Sequence, residues 1–412
     1  MHLFNLCSMP VAPAGVSHTA ACHAAAVAAA GCAVTHPAPR IAPGAPRAHV
    51  RRVLDPFRAR LRGPRLETAY ERAVRREILR RRADGEDLAV WSWTGQSPAF
   101  LRELADEGVP VVAEKYNCMT RTARRILDEA GARLGVPDAA AAITDAVIEL
   151  EEARTRAAAF VSTPAPEVTR SVVDAGIDPS RILETGYGWD PERFRTRAHP
   201  PTPGAHARRI VEPTFVFLGR GGIRKGLPML LDAWAIARRR GLRARLLVVG
   251  AVDEAVGRLR GDALAAADVQ VAGYRTDIGP LLAGATAFVF PTLEEGSPIV
   301  VLEALAHGLP VVTSPMGAGR VVRDGVEGFV HDPWDVEACA ASLLELARDR
   351  DRRDALALAA RARAATRTWS AIGVHRAAAF RGALGLPARS TDPALSFPTT
   401  TDAAAPGTRK AA

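Results

Sequence analysis

The sequence predicts an α/β protein with two domains, each built around a parallel sheet. Its 412 residues are enough for two such units, each with a core of its own. Short apolar runs of strand length alternate with longer helical segments, which is the order that a parallel sheet requires. A hydrophobic fraction of 48% and a charged fraction of 24% are ordinary for a globular protein.

The clearest strand–turn–helix unit lies in the second half of the chain. Residues 286–291 form an apolar run of strand length that ends at a proline. Ser297 suits the helix N-cap and Pro298 suits the first helical position, so the helix should run to about His307. Because this helix is apolar on every side, we expect it to be buried. Its lone acid, Glu303, then needs a hydrogen-bond donor.

Two glutamates make this unit a candidate binding site. The free N–H groups at the helix start, together with the helix dipole, would attract a phosphate. Glu295 precedes that helix start and would lie beside a sugar attached to the phosphate, and a ribose diol is one candidate donor for Glu303. The alternative is that Glu303 pairs with a neighbouring backbone group or an arginine, while Glu295 is a solvated loop acid. Both acids in one strand–turn–helix unit favour the binding site.

A second unit of the same kind covers residues 214–240. An apolar strand is followed by a glycine-rich turn that contains Gly221, and then by a helix with Leu230, Leu231 and Trp234 facing inward. Glycines let backbone amides approach a phosphate closely.

Arg220 and Lys225 flank the turn as two cations that can neutralise a diphosphate. The chain has 54 lysines and arginines, of which only Lys115, Lys225 and Lys410 are lysines. A lysine at this position therefore indicates a function, and drift to a single lysine codon is the alternative.

These units resemble the retaining glycosyltransferases of family four. That family has the GT-B fold, in which two Rossmann-like α/β domains face each other across a cleft. The resemblance is dense from Thr214 to Leu346 and is weaker from Ala157 to Phe194, which is similar to the end of the family's first domain. It rests on the motifs Gly219-Arg220 with Lys225-Gly226, Gly273-Tyr274-Arg275, Phe290–Pro298 with Glu303-Ala304, Gly308–Val312 and Asp324–Val330.

The resemblance implies a role for each matched residue. Arg220 and Lys225 would hold the donor diphosphate, and Glu295 would contact the hydroxyls of the transferred sugar. Glu303 would contact the ribose, and Tyr274 would lie beside the base. The backbone amides of Gly296 and Ser297, with Pro298 beside them, would contact the sugar and the phosphate. The donor would be a nucleoside-diphosphate sugar, and no cofactor or metal is expected.

The first domain departs from the family pattern in two places. The family opens with a glycine pair before a helix under the donor phosphate. Here Gly15 is the one glycine, ahead of an alanine-rich helix predicted over Thr19–Ala30. His18 lies near the donor by position, or else it caps the helix or faces solvent. The family commonly has a histidine after a middle strand, which we predict at Val109–Ala113, but Glu114–Cys118 follows that strand instead.

The predicted organisation combines these motifs. We expect residues 1–194 to form an acceptor-side Rossmann-like domain, in which Pro37 to Arg65 is a loop-rich insertion. The remaining segments are a linker (195–212), a nucleotide-sugar-binding Rossmann-like domain (213–368), a helix that crosses back to the first domain (369–386) and a disordered tail (387–412).

The net charge of +9 is concentrated in one segment. Arg40–Arg82 holds fourteen arginines and four acids, so it carries +10 and the rest of the chain carries −1. Within it, Leu66, Tyr70, Val74 and Ile78 recur every fourth residue and mark the apolar face of a basic helix. Such a helix suits an anionic membrane surface or an acidic acceptor, and a solvated arginine-rich face is the alternative. Nucleic acid is disfavoured, because the segment has almost no interleaved aromatics and no recognisable binding module.

The hydrophobic runs and the cysteines of the chain indicate where in the cell the protein would lie. No apolar run reaches the length of a membrane span, and the five cysteines have no metal-binding spacing. We therefore expect a cytoplasmic protein, peripheral at most to the inner face of the membrane.

Taken together, these features predict a retaining, hexosyltransferase-like glycosyltransferase. It would move a sugar from a nucleoside-diphosphate sugar to a hydroxyl of a glycan, a lipid or a small molecule. Two alternatives stay open. One is a GT-B sugar-nucleotide epimerase, which would need acids and a histidine around the sugar. The other is a degenerate, non-catalytic GT-B scaffold that binds a partner.

We predict that sugar transfer needs no divalent metal, because Arg220 and Lys225 would neutralise the leaving diphosphate. Turnover of the nucleotide sugar should be the same in excess EDTA as in its absence. Loss of turnover in EDTA, with recovery on addition of manganese, would contradict the prediction.

Overall fold

The computed structural model describes residues 2–9, 11–12, 15–43, 45, 47–55, 58–195 and 212–386. Most of the predicted linker (196–211) and the whole predicted tail (387–412) lie outside the described residues.

The first part of the chain supplies seven strands. They are β1 (His2–Cys7), β2 (Ala33–Ala38), β3 (Val50–Arg52), β4 (Leu88–Thr94), β5 (Val111–Glu114), β6 (Phe160–Thr163) and β7 (Ile182–Glu184). The helices around them are α1 (Val16–Ala29), α2 (Gly63–Ala83), α3 (Pro98–Asp106), α4 (Thr120–Leu134), α5 (Asp145–Ala157), α6 (Pro166–Asp174) and α7 (Glu192–Arg195), with 3₁₀ turns at Arg58–Arg60 and Pro179–Arg181.

The second part supplies six strands. They are β8 (Thr214–Leu218), β9 (Arg245–Val249), β10 (Val269–Gly273), β11 (Ala287–Phe290), β12 (Val311–Thr313) and β13 (Gly328–Val330). The helices are α8 (Leu227–Arg239), α9 (Glu254–Leu264), α10 (Gly279–Ala283), α11 (Ile299–Ala306), α12 (Pro315–Ala318), α13 (Val336–Arg348), α14 (Arg350–Ala365) and α15 (Trp369–Ala383).

Within the described ranges the strands form two sheets, and every strand pair is parallel. The orders are β3-β2-β1-β4-β5-β6-β7 and β10-β9-β8-β11-β12-β13. This confirms the predicted α/β class with two parallel sheets. In such sheets ligands bind beyond the carboxyl ends of the strands, at the point where the strand order reverses. The loops after β1 and β4 in the first sheet, and after β8 and β11 in the second, are therefore the ones that position a site.

The last helix, α15, packs in the core of the first domain although it follows the second in sequence. The Phe380 ring lies edge-on to Trp91, with 5.0 Å between the ring centroids. The fully buried Arg376 guanidinium donates to Glu114 at 2.6 Å and to the Gly186 carbonyl at 3.0 Å. Because an unpaired buried charge is costly, this ion pair holds α15 against β5.

Two further contacts join the domains. The segment around Trp189 bridges to Thr368, and the Trp189 indole N–H donates to the Ala364 carbonyl at 2.8 Å. Separately, Ala130 of α4 packs in one apolar cluster with Ile223, Met229 and Leu293 of the second domain. The two domains are therefore joined by two distinct sets of contacts in addition to α15.

The structure corrects two predictions for the first domain. Pro37 to Arg65 is not only an insertion of loops, because β2 runs to Ala38 and β3 extends the sheet, with Val50 opposite His36. Three residues with two arginines are too short and too polar to signal a strand. The middle strand begins at Val111 rather than Val109, because Pro110 between them has no N–H to donate to a ladder.

The basic helix α2 confirms the predicted apolar face. Leu66, Tyr70, Val74 and Ile78 are all buried, and the Tyr70 hydroxyl donates to the Pro37 carbonyl at 2.9 Å. This face is therefore part of the core of the first domain.

Candidate functional site

Two loops of the second domain bring Lys225 and Glu295 together. Lys225 ends the glycine-rich turn after β8, and Glu295 lies in the turn after β11, so neighbouring strands place them side by side. The Lys225 ammonium forms an ion pair with Glu295 Oε1, and both side chains are largely buried. Burial and the nearby Arg224 charge lower the pKa of Lys225, whereas Glu294 raises it. A compact ion pair thus lies at the carboxyl ends of the central strands.

Arg220 lies on the same turn but faces outward. Its side chain is 78% exposed, and its Nε donates to Asp253 at 2.6 Å. The Gly221 N–H donates to the Ala251 carbonyl at 2.8 Å, so this amide is already used within the domain. The contribution of Gly221 is to let the turn pack closely against Leu227 and Val252, where a Cβ would crowd both side chains.

The start of α11 differs from the prediction. Helix α11 begins at Ile299, Pro298 is the N-cap residue with ψ 113°, and no side chain caps the first turn. Ser297 is buried just before it rather than acting as the cap. The extended proline thus shifts the helix start by one residue, and no side chain in the described structure caps the first turn. The helix itself is buried as predicted, with Glu303 only 3% exposed.

Glu303 has an arginine partner. The Arg193 guanidinium, on α7, forms an ion pair with Glu303 Oε1. Burial raises the pKa of Glu303 to about 7, and the Arg193 charge works in the opposite direction. In this structure the lone acid of α11 is therefore met by an arginine, which was one of the two interpretations of the sequence.

Gly15 and His18 lie at the start of α1. Gly15 has φ 83° and is the N-cap residue, a conformation that favours glycine. His18 is half-buried, and its Nε2 lies 3.5 Å from Cys22 Sγ. Burial lowers the pKa of His18, and Arg193 lowers it further while Asp190 raises it. The His18 side chain therefore lies within range of the Arg193 charge.

Helix α1 is slightly longer at its start than predicted. It spans Val16–Ala29, whereas the sequence predicted Thr19–Ala30.

Glu114 is the last residue of β5, and its carboxylate lies in the core of the first domain. Glu114 is fully buried and accepts from Arg376, from the Trp91 indole at 2.9 Å and from the Tyr187 hydroxyl at 3.2 Å. Lys115 is paired with Glu151. Both charged groups of the segment that replaces the family's histidine therefore serve the packing of the first domain.

The loop after β5, in the first domain, contacts the turn of the second domain that holds Glu295. The Cys118 thiol donates to Glu294 Oε1 at 3.2 Å, and Arg224 pairs with Glu294 Oε2. Gly296 lies so close to the first domain that a Cβ on it would overlap the Tyr116 carbonyl oxygen. The position of Glu295 is thus set by contacts of its two neighbours.

Tyr274 is not brought to these residues. It follows β10 at the edge of the second sheet, and its side chain is 76% exposed. A cavity of about 690 Å³ opens beside Arg220 between the domains. It is lined by residues 135–139 of the first domain and by Arg224, Lys225 and Arg258 of the second.

Reasoning from sequence missed Arg193, Cys118 and Glu294. Glu294 had a local signal, because it adjoins Glu295 in the same turn. Arg193 and Cys118 had none, since each meets its partner across more than a hundred residues of sequence.

Comparison with known proteins gives a family for part of the chain. Residues 212–349 match the family described as "Glycosyl transferases group 1". A GDP-mannose-dependent alpha-(1-6)-phosphatidylinositol monomannoside mannosyltransferase of Mycobacterium tuberculosis is 35% identical over 212 residues, which are 47% of this chain and 54% of the relative. The chain spans about half the length of the curated relatives it matches.

Solved structures match nearly the whole chain. A sucrose-phosphate synthase from Thermosynechococcus elongatus aligns with a TM-score of 0.66 at 18% identity, over 93% of this chain and 98% of that one. Anabaena HepE, solved with UDP and glucose, aligns with a TM-score of 0.62 at 17% identity, over 93% of this chain and all of that one. These likenesses show that the fold is GT-B.

Two further properties concern the described residues alone. None of the helices in these ranges has the length and hydrophobicity that a bilayer span needs. No group of three or more His, Cys, Asp and Glu side chains there is arranged to hold a metal ion.

The contact at Gly296 gives a prediction. Gly296→Ala should lower the free energy of unfolding by about 1–3 kcal/mol, because the methyl group would meet backbone on the opposite domain. Urea unfolding and small-angle scattering should show a less stable and more open protein. Gly382→Ala on α15 is the matched control, since a Cβ there meets open space. An unchanged midpoint and scattering profile for Gly296→Ala would show that the two domains do not meet at this loop.

Proposed function

Because residues 212–349 form a glycosyl transferases group 1 domain, we propose that the protein transfers a sugar from a nucleoside-diphosphate sugar to an acceptor hydroxyl, with retention of anomeric configuration. The observation that carries this proposal is the meeting of Lys225 and Glu295 at the carboxyl ends of β8 and β11. Glu303 follows Glu295 eight residues later, on the buried helix α11.

Lys225 and Arg220 are suited to binding a diphosphate leaving group. Lys225 and Arg220 lie on one turn, and each is neutralised by an acid, Glu295 and Asp253 respectively. A donor diphosphate would replace these acids as the partner of both cations. Displacing Glu295 from Lys225 would free its carboxylate for the hydroxyls of the transferred sugar. Catalysis would then consist of positioning and of stabilising the charge on the departing diphosphate.

Two similar proteins support a nucleoside-diphosphate sugar as the donor. HepE was solved with UDP and glucose, and with UDP-glucose, while the mycobacterial relative is named for GDP-mannose. Donors in this group therefore share the nucleoside diphosphate and vary in base and sugar. We propose the shared class for this chain.

The acceptor would enter between the domains. The cavity beside Arg220 is lined by the turn at 135–139 of the first domain, and its volume of about 690 Å³ is that of a small-molecule site. An acceptor held there would be near Lys225, whose side chain also lines the cavity.

Three variants test this assignment once mass spectrometry against a panel of nucleotide sugars has identified a donor. Lys225→Ala should lower turnover by about 10² to 10³, the usual effect of losing one preorganised charge. Glu295→Gln should lower turnover more than donor affinity, because charge at the sugar is greatest in the transition state. Glu303→Gln should mainly weaken nucleotide binding, since a ribose contact is similar in both states.

The controls are Arg239→Ala at the end of α8 and Glu149→Gln on α5, which change exposed residues that do not line the cavity beside Arg220. Donor breakdown is measured with and without acceptors. Near-normal turnover in folded Lys225→Ala and Glu295→Gln would remove the basis for the transferase. An inverted sugar on an intact nucleotide would indicate an epimerase, and donor binding without turnover in the parent protein would indicate a scaffold.

We also propose that the arginine-rich surface of α2 contacts an anionic membrane or acidic acceptor. The apolar face of α2 is buried, so this contact would be electrostatic and not an insertion. Several arginines already pair with acids: Arg75 with Glu103, Arg80 with Glu77 and Asp84, and Arg81 with Glu77 and Glu86. Arg65, Arg72 and Arg76 are exposed, and no ion pair joins them to an acid in the described residues.

Reversal of these three arginines to glutamate should weaken binding to phosphatidylglycerol vesicles by at least about 100-fold, since each lost arginine contributes about 1 kcal/mol and each new glutamate repels the surface. Sedimentation with vesicles measures this, and phosphatidylcholine vesicles should bind neither protein. Reversal of the exposed Arg102, Arg170 and Arg239 is the charge-matched control. If the parent protein does not bind anionic vesicles, the surface is a solvated face.

A further inference from the structure

Arg193 reaches from the first domain to the acid of α11. It lies on α7, just after Trp189 and Asp190, and its Nη1 donates to Glu303 Oε1. The local chain is well anchored. The Trp189 indole donates to α14 as described above, and the Phe194 ring lies edge-on to His307 with 4.8 Å between centroids. The backbone on both sides of Arg193 is thereby held against the second domain.

The other ionisable groups around Glu303 are neutral near pH 7 or face elsewhere. His307, one turn further on α11, bonds the Glu303 carbonyl through Nδ1 at 2.7 Å, and burial lowers its pKa. The pKa of His18 on α1 is also lowered by burial. On α14, Arg361 lies against Gly308, beyond the end of α11. Within the described residues, Arg193 is therefore the cation bonded to the Glu303 carboxylate.

We propose that Arg193 is a positioning residue for the nucleotide, which keeps the Glu303 carboxylate charged and turned toward the ribose hydroxyls of the donor. This inference rests on the proposed function. Arg193 takes Oε1, and no hydrogen bond to Oε2 is formed within the described part of the chain. Oε2 is thus left to accept a hydroxyl, and a charged carboxylate is the stronger acceptor.

The charge on Glu303 makes nucleotide affinity depend on pH. Burial raises the pKa of Glu303 to about 7, and Arg193 opposes that rise. Removal of the arginine charge would therefore move the pKa higher, and the carboxyl would be mostly protonated at neutral pH. Nucleotide affinity should then be lost at pH 7 and regained as pH rises above the new pKa.

The test measures the affinity of the full-length protein for UDP and for GDP by calorimetry between pH 6.5 and 9. Arg193→Gln should bind on the order of tenfold more weakly than the parent at pH 7, and the difference should shrink to within about twofold as the pH approaches 9. Arg193→Lys keeps the charge and should restore most of the affinity. The Arg193 side chain is half exposed, so both variants should fold, which thermal unfolding checks.

Two controls separate this role from simple attraction of phosphate. A 2′,3′-dideoxynucleoside diphosphate has no diol and should bind Arg193→Gln and parent alike. In a Glu303→Gln background, Arg193→Gln should change affinity less than about twofold, because the two residues act as one unit.

Three results would overturn the inference: an equal loss at every pH, an equal loss with the dideoxynucleotide, or no loss. Tighter binding by Arg193→Gln would also overturn it, since Arg193 would then compete with the ribose. If the parent binds no nucleoside diphosphate at all, the proposed function itself fails, which is distinguishable from these outcomes.

Discussion

The position of the Glu295 turn is determined by the first domain as much as by the second. Glu294 is buried between the Cys118 thiol and Arg224, and Gly296 lies against the Tyr116 carbonyl. Glu295, between these two anchored neighbours, has little freedom and points at Lys225. Since a buried carboxylate must be satisfied, the cross-domain bond to Cys118 is a condition for this geometry. The Lys225–Glu295 pair therefore depends on how the two domains meet at this loop.

The attachment of α15 supplies the second constraint. The chain passes from the first domain to the second near Trp189 and returns near Thr368, and these two passages are bridged to each other. Arg376 then anchors the returning helix through Glu114 at the carboxyl end of β5, just before the loop that holds Glu294. Glu114 of the buried ion pair and Cys118 of the cleft contact are thus only a few residues apart. The packing of α15 against β5 therefore helps to position the loop that holds Glu294.

Local patterns predicted the units that carry the second-domain site. The strand–turn–helix units at β8 and β11 follow from apolar runs closed by glycine or proline. Helix α11 is buried as expected, and α8 turns Leu230, Leu231 and Trp234 inward as expected. The edge strand β3 was missed because Val50–Arg52 is short and charged. The roles of Arg193 and Glu114 were out of reach for another reason. Their partners, Glu303 and Arg376, are set by how the domains and α15 pack, which no window of sequence contains.

The charges in the cleft form a pattern that bears on selectivity. In the described structure, each cation near the Glu295 turn is paired with an acid: Arg193 with Glu303, Arg220 with Asp253, Arg224 with Glu294 and Lys225 with Glu295. A neutral sugar offers nothing that could replace a carboxylate as the partner of these cations. A diphosphate carries enough charge to do so at Arg220 and Lys225. Under the proposed function, the paired state would therefore exclude free sugars and admit a sugar only when it is attached to a nucleoside diphosphate.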